Sequence, residues 1–420
     1  MRKYLQRGIS FFKEETVLCV ALVLAAVSSF VVLPDRQYVD YIDFRTLAIL
    51  FSLMAVMAGL QQIGVFGWIA GRMLRYVRSV RSLVLVLMLL CFVSSMLITN
   101  DVALITFVPF SFTVFGLVGK ELKEKLVIPV VVMQTIAANL GSMLTPIGNP
   151  QNLYLYSQSG MGLGEFIMLM LPYTVVSLAL LVVWCLALGG KSGAGQKLQL
   201  GDAGAQSQIG GRSQLGDIGA QSQVADRKLQ SAVSGLEGAS SRSGIRNLVI
   251  YLILFVLCLL TVARVLPYGL TLVLVIAAVM IADRHVLAKV DYGLLLTFVG
   301  FFVFIGNMGR IPAFSNFLAS MMQGREVLTA VVSSQVISNV PAALLLSGFT
   351  GDYRALIVGT NLGGLGTLIA SMASLISFKY VGKEFGGKKG AYLGYFTVAN
   401  LVFLAVLLGC HFVAPAFLVK

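Results

Sequence analysis

Much of this 420-residue chain runs in long windows free of Asp, Glu, Lys and Arg: 16–34, 46–71, 126–164, 166–190, 247–263, 265–282, 292–309, 355–378 and 390–419. A helix needs about 20 apolar residues to cross the hydrocarbon core of a bilayer, and these windows reach or approach that length. Hydrophobic residues make up 58% of the chain and charged ones 12%, against roughly 45–50% and 25% in soluble domains, a surplus that a water-soluble fold cannot hide. The fold class is an all-α polytopic membrane protein, expected in the cell inner (plasma) membrane with lipid as its constant partner. In that setting the formal charge of +13 belongs to membrane-flanking loops, and nucleic acid is not an expected partner.

Two more windows behave differently. Residues 82–119 contain one charge, Asp101, and are too long for one helix; residues 327–351 are charge-free but split by Ser338-Asn339-Val340-Pro341. If each is a re-entrant hairpin that enters and leaves on one face, 24 of the 31 Lys and Arg fall on one side of the membrane. By the positive-inside rule that side is cytoplasmic and holds the N-terminus.

An internal repeat supports the hairpins. Val93-Ser94-Ser95-Met96-Leu97-Ile98-Thr99-Asn100-Asp101-Val102-Ala103 aligns without a gap on Val332-Ser333-Ser334-Gln335-Val336-Ile337-Ser338-Asn339-Val340-Pro341-Ala342. Downstream, Asn139-Leu140-Gly141-Ser142-Met143-Leu144-Thr145 aligns on Asn361-Leu362-Gly363-Gly364-Leu365-Gly366-Thr367. The chain therefore divides into a first repeat, 1–190, with hairpin 82–119 and broken helix 126–152, and a second, 265–420, with hairpin 327–351 and broken helix 355–378. Between them lie a Gly-, Ser- and Gln-rich cytoplasmic linker, 191–246, and a connecting helix, 247–264. The odd number of crossings makes the repeats inverted, a layout in which secondary transporters bind their cargo near the midplane.

Chemistry-bearing residues concentrate at the interruptions. A half-helix that ends in the membrane leaves backbone N–H and C=O groups for ligands. Beside them stand Thr99 and Asn100 in the first tip, Ser338 and Asn339 in the second, and Thr145 and Thr367 in the breaks, the expected substrate-binding set. Carbonyls freed at Gly141, Gly148 and Gly363, with Ser95, Ser334, Asn100, Asn339 and Asp101, form the expected cation-binding set, with Na⁺ as the metal it would hold. Each polar group also has a plain capping role and each glycine a plain packing role. Asp101 is the sole ionisable residue of its window, and a carboxylate at that depth is functional by default. No Lys or Arg lies in mid-span, so an anion has only dipoles, amides and co-bound cations to hold it.

Other chemistries lack their residues. The cysteines Cys19, Cys91, Cys185, Cys258 and Cys410 lie in apolar stretches without metal-knuckle spacing, and His285 and His411 sit beside span ends. A metal centre and an intramembrane protease of the aspartyl or Ser-His type both need groups the windows do not carry, so no enzyme is expected.

Together the Thr99-Asn100-Asp101 tip, the Thr145-Pro146-Ile147-Gly148-Asn149-Pro150-Gln151-Asn152 loop, the Ser338-Asn339-Val340-Pro341 tip and the Gly363-to-Thr367 loop resemble the ion-transporter superfamily. That group comprises citrate transporters, divalent-anion/sodium symporters, arsenite permeases and NhaD-type sodium/proton antiporters. Where the divalent-anion branch reads Ser-Asn-Thr at both tips, this chain reads Thr-Asn-Asp and Ser-Asn-Val; the aspartate is similar to the arsenite-permease and antiporter side. The resemblance implies a homodimer with a scaffold domain and an elevator-like transport domain. The resulting expectation is a cation-coupled permease for a small inorganic or carboxylate anion, using Na⁺ or H⁺ as coupling ion and no cofactor. The alternative is a Na⁺/H⁺ antiporter or arsenite-type efflux permease centred on Asp101.

Overall fold

The computed structural model describes residues 15–74, 76–118, 120–191 and 242–413. Except at its two ends, the 191–246 linker lies outside the described residues, as do Arg2, Lys3, Arg7 and Lys13. The described residues form helices α1 (Thr16–Val31), α2 (Phe44–Ile63), α3 (Val65–Leu74), α4 (Val80–Ser94), α5 (Asn100–Val118), α6 (Lys120–Ser142), α7 (Pro150–Ser159), α8 (Leu163–Lys191) and α9 (Arg242–Val262). They continue with α10 (Tyr268–Asp283), α11 (Tyr292–Gly309), α12 (Pro312–Met322), α13 (Glu326–Ile337), α14 (Asn339–Ser347), α15 (Tyr353–Leu362), α16 (Met372–Glu384) and α17 (Lys389–Val413). Seven of them, α2, α6, α8, α9, α10, α11 and α17, contain segments long and apolar enough to cross a membrane. The chain is a polytopic all-helical membrane protein.

Both expected hairpins are helical pairs, α4–α5 and α13–α14. The second is short: 12 and 9 residues at a rise of 1.5 Å give arms of about 18 and 14 Å, below the thickness of a hydrocarbon core. Ser79 starts the first hairpin with a capping box, accepting from the Ser82 N–H while Ser82 answers its backbone. Both broken segments are interrupted where expected, between α6 and α7 and between α15 and α16. The window 46–71 divides as well: Gly64, at φ 84°, ends α2 in the left-handed conformation that glycine adopts without penalty, and α3 follows. Pro312 opens α12 at a first-turn position, where its missing N–H costs nothing. Neither α3 nor α12 was anticipated as a separate helix.

The chain forms two compact units, one of Met1–Ala58, Pro150–Leu163 and Ile253–Gly363, the other of Gly59–Asn149, Gly164–Leu252 and Gly364–Lys420. Each combines one hairpin and the incoming arm of its own broken segment with the outgoing arm of the other. In the first unit α13–α14 and α15 are joined by α7; in the second α4–α5 and α6 are joined by α16.

Within the first unit α7 is fixed at several points. The Tyr154 and Ser347 hydroxyls meet at 2.8 Å, with Phe298 and Phe302 against the tyrosine ring. Gln158 donates to Asp43 at 2.9 Å, and the Arg264 guanidinium donates to the Gly160 and Tyr156 carbonyls at 2.9 and 3.1 Å. Those carbonyls lie at the C-terminal end of α7, where a cation is favoured. Within the second unit, Gln134 of α6 binds the Ser111 hydroxyl at 2.8 Å and the Leu87 carbonyl at 3.3 Å, tying α6 to both arms of the first hairpin.

The hairpins meet their broken segments at a serine and a glycine, in the same way in each unit. A Cβ on Gly141 would stand 2.5 Å from Ser95 Oγ and closer still to the Phe92 carbonyl; one on Gly363 would stand 2.6 Å from Ser334 Oγ. Small residues of this kind let membrane helices approach closely. Gly141→Ala and Gly363→Ala should each lower stability by about 1–3 kcal/mol through overpacking, read as a fall in Tm of the purified protein. Ser334→Gly should restore part of the loss in Gly363→Ala, where the Gly359 carbonyl at 2.9 Å still crowds the added methyl, whereas Ser95→Gly should rescue Gly141→Ala less, because the Phe92 carbonyl there stands closer still. Equal rescue at both positions would contradict this packing.

Candidate functional site

In the second unit the first hairpin tip is built around Asn139. Its Oδ1 accepts from Asn100 Nδ2 and from the Ser371 hydroxyl, each at 3.0 Å, and its Nδ2 points to the Gly364 carbonyl at 3.5 Å. The tip backbone is held as well: the Asn100 N–H donates to the Gly148 carbonyl at 3.0 Å, and the Thr145 hydroxyl donates to the Met96 carbonyl. Asn100 Oδ1 accepts from the Asp101 N–H at 3.0 Å, placing Asp101 in the first turn of α5. Asn100 and Asn139 are both 5% exposed, and Ser95, 0% exposed, bonds its hydroxyl to the Phe92 carbonyl.

The expected residues Ser95, Thr99, Asn100, Asp101, Gly141, Thr145 and Gly148 thus belong to one unit. Thr367 belongs to it too but is exposed. The Gly148 carbonyl already takes one N–H and keeps its second lone pair for a ligand. Gly141 is packed so closely on the hairpin that its small size has a steric reason of its own.

In the first unit the second tip holds Ser334, Ser338, Asn339 and Gly363, and it is organised differently. Ser334 bonds back to the Ala330 carbonyl at 2.7 Å, and Gln335 Nε2 donates to the freed Gly363 carbonyl at 3.0 Å. Asn361, the counterpart of Asn139, donates its amide to Asn152 Oδ1 of α7 at 2.6 Å and to the Ile357 carbonyl at 2.8 Å. Asn339 is 5% exposed and its amide makes no hydrogen bond among the described residues. A nearly enclosed amide with open donors and acceptor costs free energy unless something pairs with it.

Ser338, between α13 and α14, has φ 73° and ψ 155°, a region that is close to glycine-only. Pro341 is the third residue of α14, where the absent N–H is one of the helix start's orphans anyway. Burial follows the sequence alignment for five successive positions: Val93 and Val332 are exposed, Ser94 and Ser333 half-buried, Ser95 and Ser334 buried, Met96 and Gln335 half-buried, Leu97 and Val336 exposed.

Sequence reasoning missed Asn152 and Ser371 as partners of the two broken-segment asparagines. The signal was present in part, since each follows a break by a few residues and is polar within an apolar window. Strain at the second tip has a measurable consequence. Ser338→Gly should stabilise the fold by about 1 kcal/mol, the relieved strain of about 1–3 kcal/mol outweighing the extra chain entropy of glycine. A lower Tm in Ser338→Gly than in wild type would show that the backbone there is not strained.

Comparison with known proteins agrees with this architecture. The chain is 29% identical over 363 residues to the inner membrane protein YbiR of Escherichia coli, covering 85% of each chain. It is 29% identical over 340 residues to the uncharacterized transporter MJ0456 of Methanocaldococcus jannaschii, covering 80% of this chain and 81% of that one. A shorter likeness, 31% over 142 residues, links 34% of it to 31% of the magnetosome protein MamN of Paramagnetospirillum magneticum. The sequence model of the citrate transporter family matches residues 13–350, and the chain belongs to that family: it is a membrane permease and not an enzyme.

Proposed function

We propose that the chain is a cation-coupled secondary transporter that moves a small inorganic or carboxylate anion by alternating access, with the two hairpin tips as its binding elements. The observation that carries this reading is Asn339, an almost enclosed amide without a partner among the described residues, adjoining a strained serine at the start of a half-helix. Its N–H groups and the N-terminal dipole of α14 favour an anion. The amide and hydroxyl oxygens of the first tip, with the Gly148 carbonyl and the Asp101 carboxylate, are hard oxygen donors of the kind Na⁺ takes. Membership of a family named for citrate transport supports an anionic cargo, and the likeness to YbiR supports an inner-membrane location.

The second reading, a Na⁺/H⁺ antiporter or an arsenite-type efflux permease, is favoured by one feature, Asp101 in the first turn of α5. A carboxylate can exchange Na⁺ for H⁺ with no anion involved. Uptake of an anion against its gradient into proteoliposomes separates the first reading from a Na⁺/H⁺ antiporter.

Asn339→Ala and Asn100→Ala should abolish transport in protein that remains folded and inserted. Normal kinetics in both variants would remove the tips from the site. In wild type the apparent Na⁺ affinity should fall as pH is lowered, because protons compete with Na⁺ for the Asp101 carboxylate. Asp101→Asn should lose both the Na⁺ and the pH dependence, and unchanged responses would leave Asp101 a helix-capping role only.

A further inference from the structure

Among the described residues of the second unit, Ser374 Oγ and Asn400 Oδ1 are buried polar atoms without a hydrogen-bond partner, and the Tyr392 hydroxyl is buried as well. All three residues are 0% exposed. The Ser374 hydroxyl does not bond the carbonyl one turn back, as those of Ser111, Thr174, Ser177, Ser334 and Thr360 do. Such orphans in a native interior point to bound water.

Their placement is ordered. Asn139 and Thr135, one turn apart on α6, face Ser371 and Ser377, two turns apart on α16, through contacts of 3.0 and 2.7 Å. Ser374 lies between these two pairs on the same stripe of α16, over a length of about 9 Å from Ser371 to Ser377. The Thr135 hydroxyl has one hydrogen and two acceptors in reach, the Val131 carbonyl and Ser377 Oγ, both at 2.7 Å. The Tyr392 hydroxyl adjoins Thr135 and Ser377 and stands one turn from the start of α17, where Lys389, Gly390 and Ala391 are exposed. Asn400 follows Tyr392 and Phe396 on the same face of α17, two turns further in.

We propose that this stripe encloses a column of bound water joining the Asn100–Asn139–Ser371 cluster to solvent at the end of the unit that carries Lys123, Lys383 and Lys389, and that protons move along it. Hydroxyls and water each donate and accept, so a proton entering at one end is matched by one leaving at the other. The transported anion is excluded, because the Thr135–Ser377 contact closes the stripe to anything larger than water and no basic side chain lines it. The proton role rests on the transport reading above; the hydration does not.

Radiolysis of the wild-type protein in nanodiscs with ¹⁸O-labelled water tests the column, because hydroxyl radicals formed from bound water mark the side chains beside them. Tyr392 should be labelled several-fold more than Phe298, which is equally buried among Phe302 and Tyr154. Ser374→Val, whose larger apolar side chain would displace water bound there, should bring Tyr392 down to the Phe298 level, while the smaller Ser374→Ala should not. Labelling of wild-type Tyr392 no higher than Phe298, or undiminished in Ser374→Val, overturns the column even if pH-dependent anion uptake is normal. In proteoliposomes Ser374→Val should slow proton-dependent transport several-fold with KM for the anion unchanged, and an unaltered rate overturns the proton role. Absence of anion uptake by wild type with strong Tyr392 labelling instead overturns the transport reading and leaves the column standing.

Discussion

A backbone N–H or C=O broken out of a helix inside a bilayer finds no water, and each group left unpaired costs several kcal/mol. The chain interrupts its apolar helical runs, and its polar residues satisfy those interruptions. The Gly148 carbonyl takes the Asn100 N–H, the Met96 carbonyl takes the Thr145 hydroxyl, and the Gly363 carbonyl takes the Gln335 amide. Asn139 reaches the Gly364 carbonyl while gathering Asn100 and Ser371 onto its own oxygen. Structural partners and candidate ligands are therefore the same residues, since a broken segment needs polar neighbours whether or not it binds anything.

This economy explains why the two tips are unequal despite their aligned sequences. At the first tip the broken-segment asparagine pairs with the tip asparagine. At the second, Asn361 donates to Asn152 on α7 and to the Ile357 carbonyl, and Asn339 has no amide partner among the described residues. The outgoing arm that joins each unit differs here: α16 brings Ser371, a short hydroxyl that shares Asn139 Oδ1 with Asn100, while α7 brings Asn152, an amide that accepts from Asn361.

The helical class was readable from the sequence, because charge-free windows of fixed length mark it, and helix interruptions fall where Ser-Asn-Val-Pro stands inside such a window and where prolines and glycines crowd into twelve residues. The separate helices α3 and α12 were not: Gly64 lies within a continuous apolar run and its effect is visible only once φ is known, and α12, of 11 residues, is too short to register as a span. The partners Asn152 and Ser371 escaped for a different reason. Each pairs with a residue more than 200 positions away, through an exchange of arms between the two halves that no period within either half encodes. The serines at 371, 374 and 377 look in sequence like ordinary helix serines that bond back to their own backbone, but Ser371 donates to Asn139 and Ser377 accepts from Thr135.

The absence of Lys and Arg from both tips shapes what a binding event here must involve. An anion entering a site lined by amides and helix N-termini gains partial charges only, about half an elementary charge from each half-helix. On the proposed reading a cation bound with it supplies further charge, so that anion and cation each raise the affinity for the other by the same factor. Coupling on this reading is a consequence of the site's neutrality. A permanent Lys or Arg at a tip would hold the anion without its cation and uncouple the two, which gives a physical reason for Asn, Ser and Thr at positions where a basic residue would bind more tightly.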